Sequence, residues 1–405
     1  MKIIIASLVA LSVTYAESFS SQHVVRCIVP TKEIEILQAL EKEGTVDLWS
    51  VQPGDSSSVL ADLRISRNQI VPFQCFDFIS DIDSRISAES APTFRDKNSI
   101  YPDEDEFFTR YNSFEQIVGK MREYIENYPH LATMKSFGKS VEGRDLWVLH
   151  LTNSKSTVEN KKTIWLNGGQ HAREWVGHAS VMFVLDYLCK NSDKSVEVAE
   201  YLNNFEYVIA PLINPDGYEY SRIKGNRMWR KNRRRNSDGS YGVDLNRNWD
   251  EHWGLTGASS NPRSDIYMGP SVASEPEVYQ TQNYVLTLKN RKAGIDFHAY
   301  GQLILRSWGW TTKLSENEVY LKKVGDSLRD AISGAQYTSQ RAAQLYPTGG
   351  STDDWFTSKA GMLGFTVELR DTGKHGFILP PEYIIPTGQD AVAIVLKMSN
   401  ILLNE

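Results

Sequence analysis

Gly168-Gly-Gln-His171-Ala-Arg-Glu174-Trp175 sets a histidine and a glutamate three residues apart. Residues 163–166 before it have the pattern of a strand, 167–170 that of a turn, and 175–188 that of an apolar helix. An i, i+3 spacing puts both side chains on one face at the mouth of this strand–turn–helix. Histidine nitrogen and carboxylate oxygen are ready ligands for zinc, and a catalytic site of two histidines and one glutamate keeps its fourth position for water. The third ligand then has to come from elsewhere in the chain.

His298, in Ile295-Asp-Phe-His-Ala-Tyr300, is the candidate, carried far downstream on a short strand. A strand histidine taken alone is more often a hydrogen-bonded core residue than a ligand. His178 lies two helical turns beyond His171 and is not expected to reach the same ion. The chain holds no His-Glu-x-x-His, which excludes the thermolysin arrangement.

These residues must be positioned by a chain of 405 residues, 41% hydrophobic and 11% aromatic, enough for one large core and a small extra domain. Residues 1–16 read as a secretory signal peptide: Met-Lys, an apolar run too short to anchor in a bilayer, and a small residue at Ala16. No later segment is apolar for long enough to span a membrane. Strand and helix patterns at 24–29, 32–43, 47–51, 59–65 and 76–82 make residues 17–83 a small α+β unit. Residues 84–106 lose periodicity and gain Ser, Pro and acidic residues, as in an exposed linker, with Arg95 and Lys97 open to a trypsin-like protease. From residue 107 to 405, helix and strand patterns alternate, which predicts one α/β domain with a mixed sheet.

Three cysteines do not make a disulfide scaffold. Cys27 and Cys75 share the N-terminal region and are the candidate pair, and Cys189 reads as a buried thiol in an apolar helix. A net charge of −6 argues against nucleic-acid binding, although 227–235 carries six basic residues. Arg233, Arg234 and Arg235 read as a solvated basic loop.

From about Tyr111 to the C-terminus the sequence resembles the secreted zinc carboxypeptidases of the pancreatic A and B type, which are made as procarboxypeptidases. The resemblance rests on Glu142-Gly-Arg144, His171-Ala-Arg-Glu174-Trp, Asn214-Pro-Asp-Gly217, Met228-Trp-Arg-Lys231, Val243-Asp-Leu-Asn-Arg-Asn-Trp249, His298-Ala-Tyr300, Tyr346-Pro-Thr-Gly-Gly350 and Glu368-Leu-Arg-Asp-Thr-Gly373. It implies an eight-stranded mixed sheet flanked by helices, preceded by a ferredoxin-like α+β prodomain. It also implies one zinc per chain held by His171, Glu174 and His298, with Glu368 as the catalytic glutamate and Arg230 as the arginine polarising the scissile carbonyl. Asn246, Arg247 and Tyr346 take the places of groups that hold the substrate's C-terminal carboxylate, and Arg173 and Tyr300 those of neighbouring subsites.

The chemistry agrees with these roles. Amide hydrolysis at neutral pH needs an activated water, which zinc supplies, and a base to shuttle its proton, which Glu368 supplies. Charge on the carbonyl oxygen is met by Arg230, and Arg247 offers a planar fork to a free carboxylate. The implied protein is a secreted monomer acting on peptide C-termini and released by a trypsin-like protease. Two departures stand out: between Arg67 and Cys75 there is little room for the prodomain's usual second helix, and the cysteine pair that closes a loop after the arginine-rich segment is absent, with Arg263 where one would stand.

Counting from Tyr346, Asp353 falls on the pocket floor, aliphatic in A-type and Asp in B-type enzymes, which implies cleavage of C-terminal Lys or Arg. Arg341 falls by the same count on another pocket position; pointed inward it would neutralise Asp353 and leave an A-type or broad preference. A catalytically silent peptide-binding protein is the alternative from another class, and the retained ligands and Glu368 speak against it.

Overall fold

A computed structural model describes residues 18–90 and 106–405. The signal-peptide reading of 1–16 and the cleavage positions Arg95 and Lys97 lie outside the described residues. Among those described, no helix is long and apolar enough to cross a membrane.

The N-terminal unit runs β1 Gln22–Pro30, α1 Ile34–Lys42, β2 Asp47–Pro53, β3 Ser58–Ser66, β4 Gln74–Ile79 and α2 Ile82–Glu89. Its sheet has the order β2-β3-β1-β4, antiparallel throughout. Val25, Cys27, Val29, Leu37 and Leu63 form its core. Cys27 and Cys75 face each other across β1 and β4 and are joined as a disulfide. No helix forms between β3 and β4, as the short 67–73 connection predicts.

The linker expectation needs correction at its start. Ile82–Glu89 is a helix, capped by the Asp81 side chain on Ser84 N. Its Ser, Asp and Glu content hid it from a periodicity reading, because it is held by packing against β1, with Ile82 buried, and by the Glu89–Arg227 pair rather than by an apolar stripe.

The larger domain contains α3 Phe114–Asn127, β5 Ala132–Lys139, β6 Asp145–Leu151, β7 Lys162–Gly168, α4 Trp175–Lys190, α5 Val196–Asn204, β8 Phe205–Ala210 and α6 Pro215–Ser221. There follow α7 Pro276–Thr287, β9 Arg291–Ala299, β10 Leu303–Arg306, α8 Glu318–Asp330, β11 Thr338–Arg341, α9 Thr352–Ser358, β12 Leu363–Leu369 and α10 Ile384–Leu403. The eight strands order as β11-β10-β12-β9-β7-β8-β6-β5, with β8, β7, β9 and β12 parallel at the centre. Central parallel strands are covered on both faces and read as continuous apolar runs, as in β9, buried from Ala293 to Ala299.

Helix α4 is buried on nearly every side. It lies close to β9 because Gly177 has no side chain: a Cβ there would stand 2.8 Å from Phe297 O. The C-terminal ends of β7, β9 and β12 lie side by side, with Gly168 opposite Phe297 and Glu368 opposite His298. In parallel α/β sheets this is the edge at which ligands bind.

Candidate active site

Two strand ends bring the predicted ligands together. His171 and Glu174 follow β7, His298 ends β9, and all three are buried, with donor atoms within 4.8 Å of one another. His171 Nδ1 lies 2.8 Å from Glu174 Oε1, and His298 Nδ1 lies 2.9 Å from Glu174 Oε2. Burial opposes the Glu174 charge, but the two imidazoles outweigh it and hold the carboxyl well below its usual range.

The far nitrogen of each ring is held by a carboxylate. His171 Nε2 lies 3.0 Å from Asp244 Oδ1, and His298 Nε2 lies 2.8 Å from Asp296 Oδ2. Such partners put the ring proton on Nε2 and leave the Nδ1 lone pairs facing each other, which is the donor set a zinc ion takes. The residues therefore fit zinc. Sequence reasoning missed both aspartates, though Asp296 is two residues before His298 on a strand and so shares its face.

Asp244 also binds Arg230, Nη2 at 2.9 Å, and Arg230 Nη1 approaches Glu174 Oε1 at 3.9 Å. Burial works against the Arg230 charge, but Asp244 and Glu174 raise its pKa above the ordinary arginine value. Glu368 lines the same cleft with no hydrogen-bond partner among the described residues. Burial pushes its carboxyl up to about 8, with His298 acting against the shift and Glu174 with it. Arg370 is paired with Asp390 at 2.6 Å and leaves Glu368 free.

Asn246, Arg247 and Tyr346 meet in this cleft with Arg230. Asp353, at the start of α9, lines its wall with Thr366 and Leu303. The residue is 2% exposed and its Oδ2 has no hydrogen-bond partner. Burial pushes the Asp353 carboxyl above the usual range. Arg341 does not enter the pocket: its Nη1 donates to Thr312 O at 2.6 Å on the surface. Position 341 ends the edge strand β11, whose next residue, Ala342, is the one that lines the cleft.

The solvated-loop reading of 233–235 holds only for Arg235, which is exposed. Arg233 stacks on Tyr220 at 3.5 Å between Trp229 and Tyr241, and Arg234 binds Glu275 at 3.0 Å.

The N-terminal unit covers the cleft. Asp47 takes Arg173 Nη1 with both oxygens at 2.8 Å, and Asp62 accepts from Tyr300 Oη at 2.9 Å. Glu89 holds Arg227 through two 2.6 Å bonds. Glu41, on α1, lines the cleft; burial pushes its carboxyl up to about 7 against the fields of Arg247 and Arg230. Both subsite residues predicted for substrate, Arg173 and Tyr300, are thus engaged by N-terminal carboxylates that the sequence did not single out.

Comparison with known proteins agrees with this geometry. A family model described as zinc carboxypeptidase matches residues 117–394. The chain is 34% identical over 301 residues to carboxypeptidase B of Astacus astacus, covering 72% of this chain and 97% of that one. It is 30% identical over 387 residues to carboxypeptidase A1 of Bos taurus, covering 92% and 90%. The crystal structure of thrombin activatable fibrinolysis inhibitor superposes with a TM-score of 0.81 at 27% identity over 95% of this chain and all of that one. Carboxypeptidase A from Helicoverpa armigera shares the fold, TM-score 0.82 at 23% identity over 96% of this chain. With a family model spanning most of the larger domain and a buried His-Glu-His set at the expected strand ends, the chain belongs to the zinc carboxypeptidase family.

Proposed function

We propose that this zinc carboxypeptidase is secreted, removes single C-terminal Lys or Arg residues, and is held inactive by the N-terminal unit through α2 until the segment between α2 and residue 106 is cut. The observation that carries the specificity is Asp353, a buried carboxylate on the cleft wall with an unpartnered oxygen and, among the described residues, no ion-pair partner.

In this reading Arg247 grips the terminal carboxylate of the peptide with its planar fork, and Asn246 and Tyr346 add neutral donors. Zinc held by His171, Glu174 and His298 would supply Lewis acidity and an activated water. Glu368 takes a proton from the attacking water onto its carboxylate and returns it to the leaving amide nitrogen. As the carbonyl oxygen gains charge, the Arg230 guanidinium, kept cationic by Asp244, stabilises it. The C–N bond breaks to give a free amino acid and a peptide one residue shorter.

Silencing before cleavage is supported by the carboxylates that Asp47, Asp62 and Glu41 present to Arg173, Tyr300 and the Arg247–Arg230 pair. A peptide C-terminus approaching the same donors would meet groups already matched in charge.

The test is a panel of peptides differing only at the C-terminal residue, assayed on the clipped chain. Leaving a buried charge unpaired costs about 3–5 kcal/mol, so Arg should exceed Leu in kcat/KM by roughly 10²- to 10³-fold. In Asp353→Ile the order should invert. A parent that already favours Leu overturns the Lys/Arg assignment and leaves the carboxypeptidase chemistry standing.

A further inference from the structure

We propose that Gln170 is a positioning residue that couples the zinc ligand His298 to Asn246, at the carboxylate end of the cleft. The inference rests on Asn246 being part of the substrate-carboxylate clamp. Five buried or half-buried side chains form one continuous hydrogen-bonded path: His298, Asp296, Gln170, Thr352 and Asn246.

The direction of every bond in the path is fixed by groups that have only one role. Trp249 Nε1–H can only donate, and it lies 2.7 Å from Gln170 Oε1. The Gln170 amide is therefore turned with its NH₂ away from Trp249, donating to Asp296 Oδ2 at 2.7 Å and to Thr352 Oγ1 at 2.8 Å. Asp296, which also receives Asn167 Nδ2 at 2.5 Å, accepts the His298 Nε2–H at 2.8 Å. That leaves His298 Nδ1 with its lone pair toward Glu174 and His171.

At the other end, the Thr352 backbone N–H can only donate and lies 3.0 Å from Asn246 Oδ1, with Thr352 Oγ1 3.1 Å from the same oxygen. Asn246 is thereby locked with its oxygen on α9 and its NH₂ left for the cleft that it lines. Gln170, Asp296 and Thr352 are at most 1% exposed, so water cannot replace a missing partner, and a half-satisfied buried network is costly. A shift of the Gln170 amide has to be felt at both ends: at the tautomer and aim of His298, and at the aim of the Asn246 donor. Gln170 precedes the ligand His171 and Thr352 precedes Asp353, so the path joins the segments that carry metal and pocket.

The experiment compares the clipped, zinc-loaded parent with Gln170→Met, Asn246→Ala and the double variant. Zinc affinity is read by competition with a chelator and KM with a C-terminal Arg peptide. Gln170→Met should weaken zinc by about 10-fold, at the low end for loss of an outer partner of a ligand. It should also raise KM by about 3- to 10-fold, the loss of one hydrogen bond's worth of positioning. In the Asn246→Ala background, Gln170→Met should still weaken zinc yet leave KM where Asn246→Ala put it, because the two substitutions act on KM through the same donor.

Thr352→Val cuts the path between Gln170 and Asn246 by one hydroxyl and decides the matter if Gln170→Met does not fold. It should raise KM in the parent, have no effect on KM in Asn246→Ala, and leave zinc affinity at the parent value. KM effects that add in both backgrounds, or unchanged zinc affinity in Gln170→Met, overturn the coupling while the clamp stands. An unchanged KM in Asn246→Ala removes the clamp, and the coupling with it.

Discussion

Asp47 and Arg173 form a buried ion pair between the N-terminal unit and the segment that carries the metal ligands, with Arg173 Nη1 2.8 Å from both Asp47 oxygens. Arg173 stands between His171 and Glu174 in sequence, so the covering unit is fastened beside the metal site itself. Arg64 and Trp49 Nε1 bind the same carboxylate, and Arg173 stacks over Phe377 at 4.2 Å. Burial opposes the Asp47 charge, yet Arg173 and Arg64 hold its carboxyl below the usual range.

Asp47→Ala should loosen this cover. Removing one partner of a buried pair costs about 3–5 kcal/mol, and here the part lost with Arg173 falls only on the covered state, since withdrawal of the N-terminal unit returns Arg173 to water. The uncut Asp47→Ala chain should hydrolyse a small C-terminal Arg peptide faster than the uncut parent, with the two alike once clipped. Equal rates before clipping count against silencing by this contact.

Much of the site was legible in the sequence because its residues sit at strand ends. His171, Glu174, His298 and Glu368 follow or close runs whose apolar pattern marks β7, β9 and β12, and parallel strands deliver their C-terminal ends to one edge. What escaped were contacts between segments remote in sequence. Asp296 and Asp244 are ordinary acids until the fold places them on imidazole nitrogens, and Glu89 is a linker-like residue until Arg227 is found against it. Arg341 stayed open for a different reason: position counting carries no information on which way an edge-strand side chain turns, and it turns outward to Thr312 O. Helices α5 and α9 are short, with polar or acidic first turns, and lack the periodic length that sequence patterns need.

His298→Ala should lose metal and activity together. The variant removes one of three protein ligands and leaves Glu174 with a single imidazole against its buried charge. Metal content after dialysis, measured beside turnover, should fall well below one zinc per chain. Full turnover in a dialysed sample with no zinc would falsify the ligand assignment.

Glu368→Gln separates the base from the metal. The amide keeps the side chain's shape and leaves His171, Glu174 and His298 untouched, so zinc content should match the parent. Turnover should drop by at least about 10²-fold, the lower range for loss of a general acid–base group. Zinc retained with a parent-like rate would move the proton shuttle to another residue.

The preference for C-terminal Arg should depend on pH through Asp353. Its carboxyl is held above the usual aspartate range by burial, with Ser351 and backbone donors opposing the shift. The charge that attracts a Lys or Arg side chain is present above that pKa and is lost as pH falls through it. The loss therefore begins at higher pH than for an exposed aspartate, which titrates near 3.9. Zinc release and protonation of Glu368 also lower activity as pH falls, but they act on every substrate alike and cancel in a ratio. The kcat/KM for an Arg-ending peptide divided by that for a Leu-ending one should decline from neutral toward acid pH in the parent. In Asp353→Asn, which keeps the shape and removes the charge, the ratio should be low and flat. A ratio that stays constant in the parent would mean that Asp353 does not face the substrate side chain, and the unpartnered oxygen on the cleft wall would need another explanation.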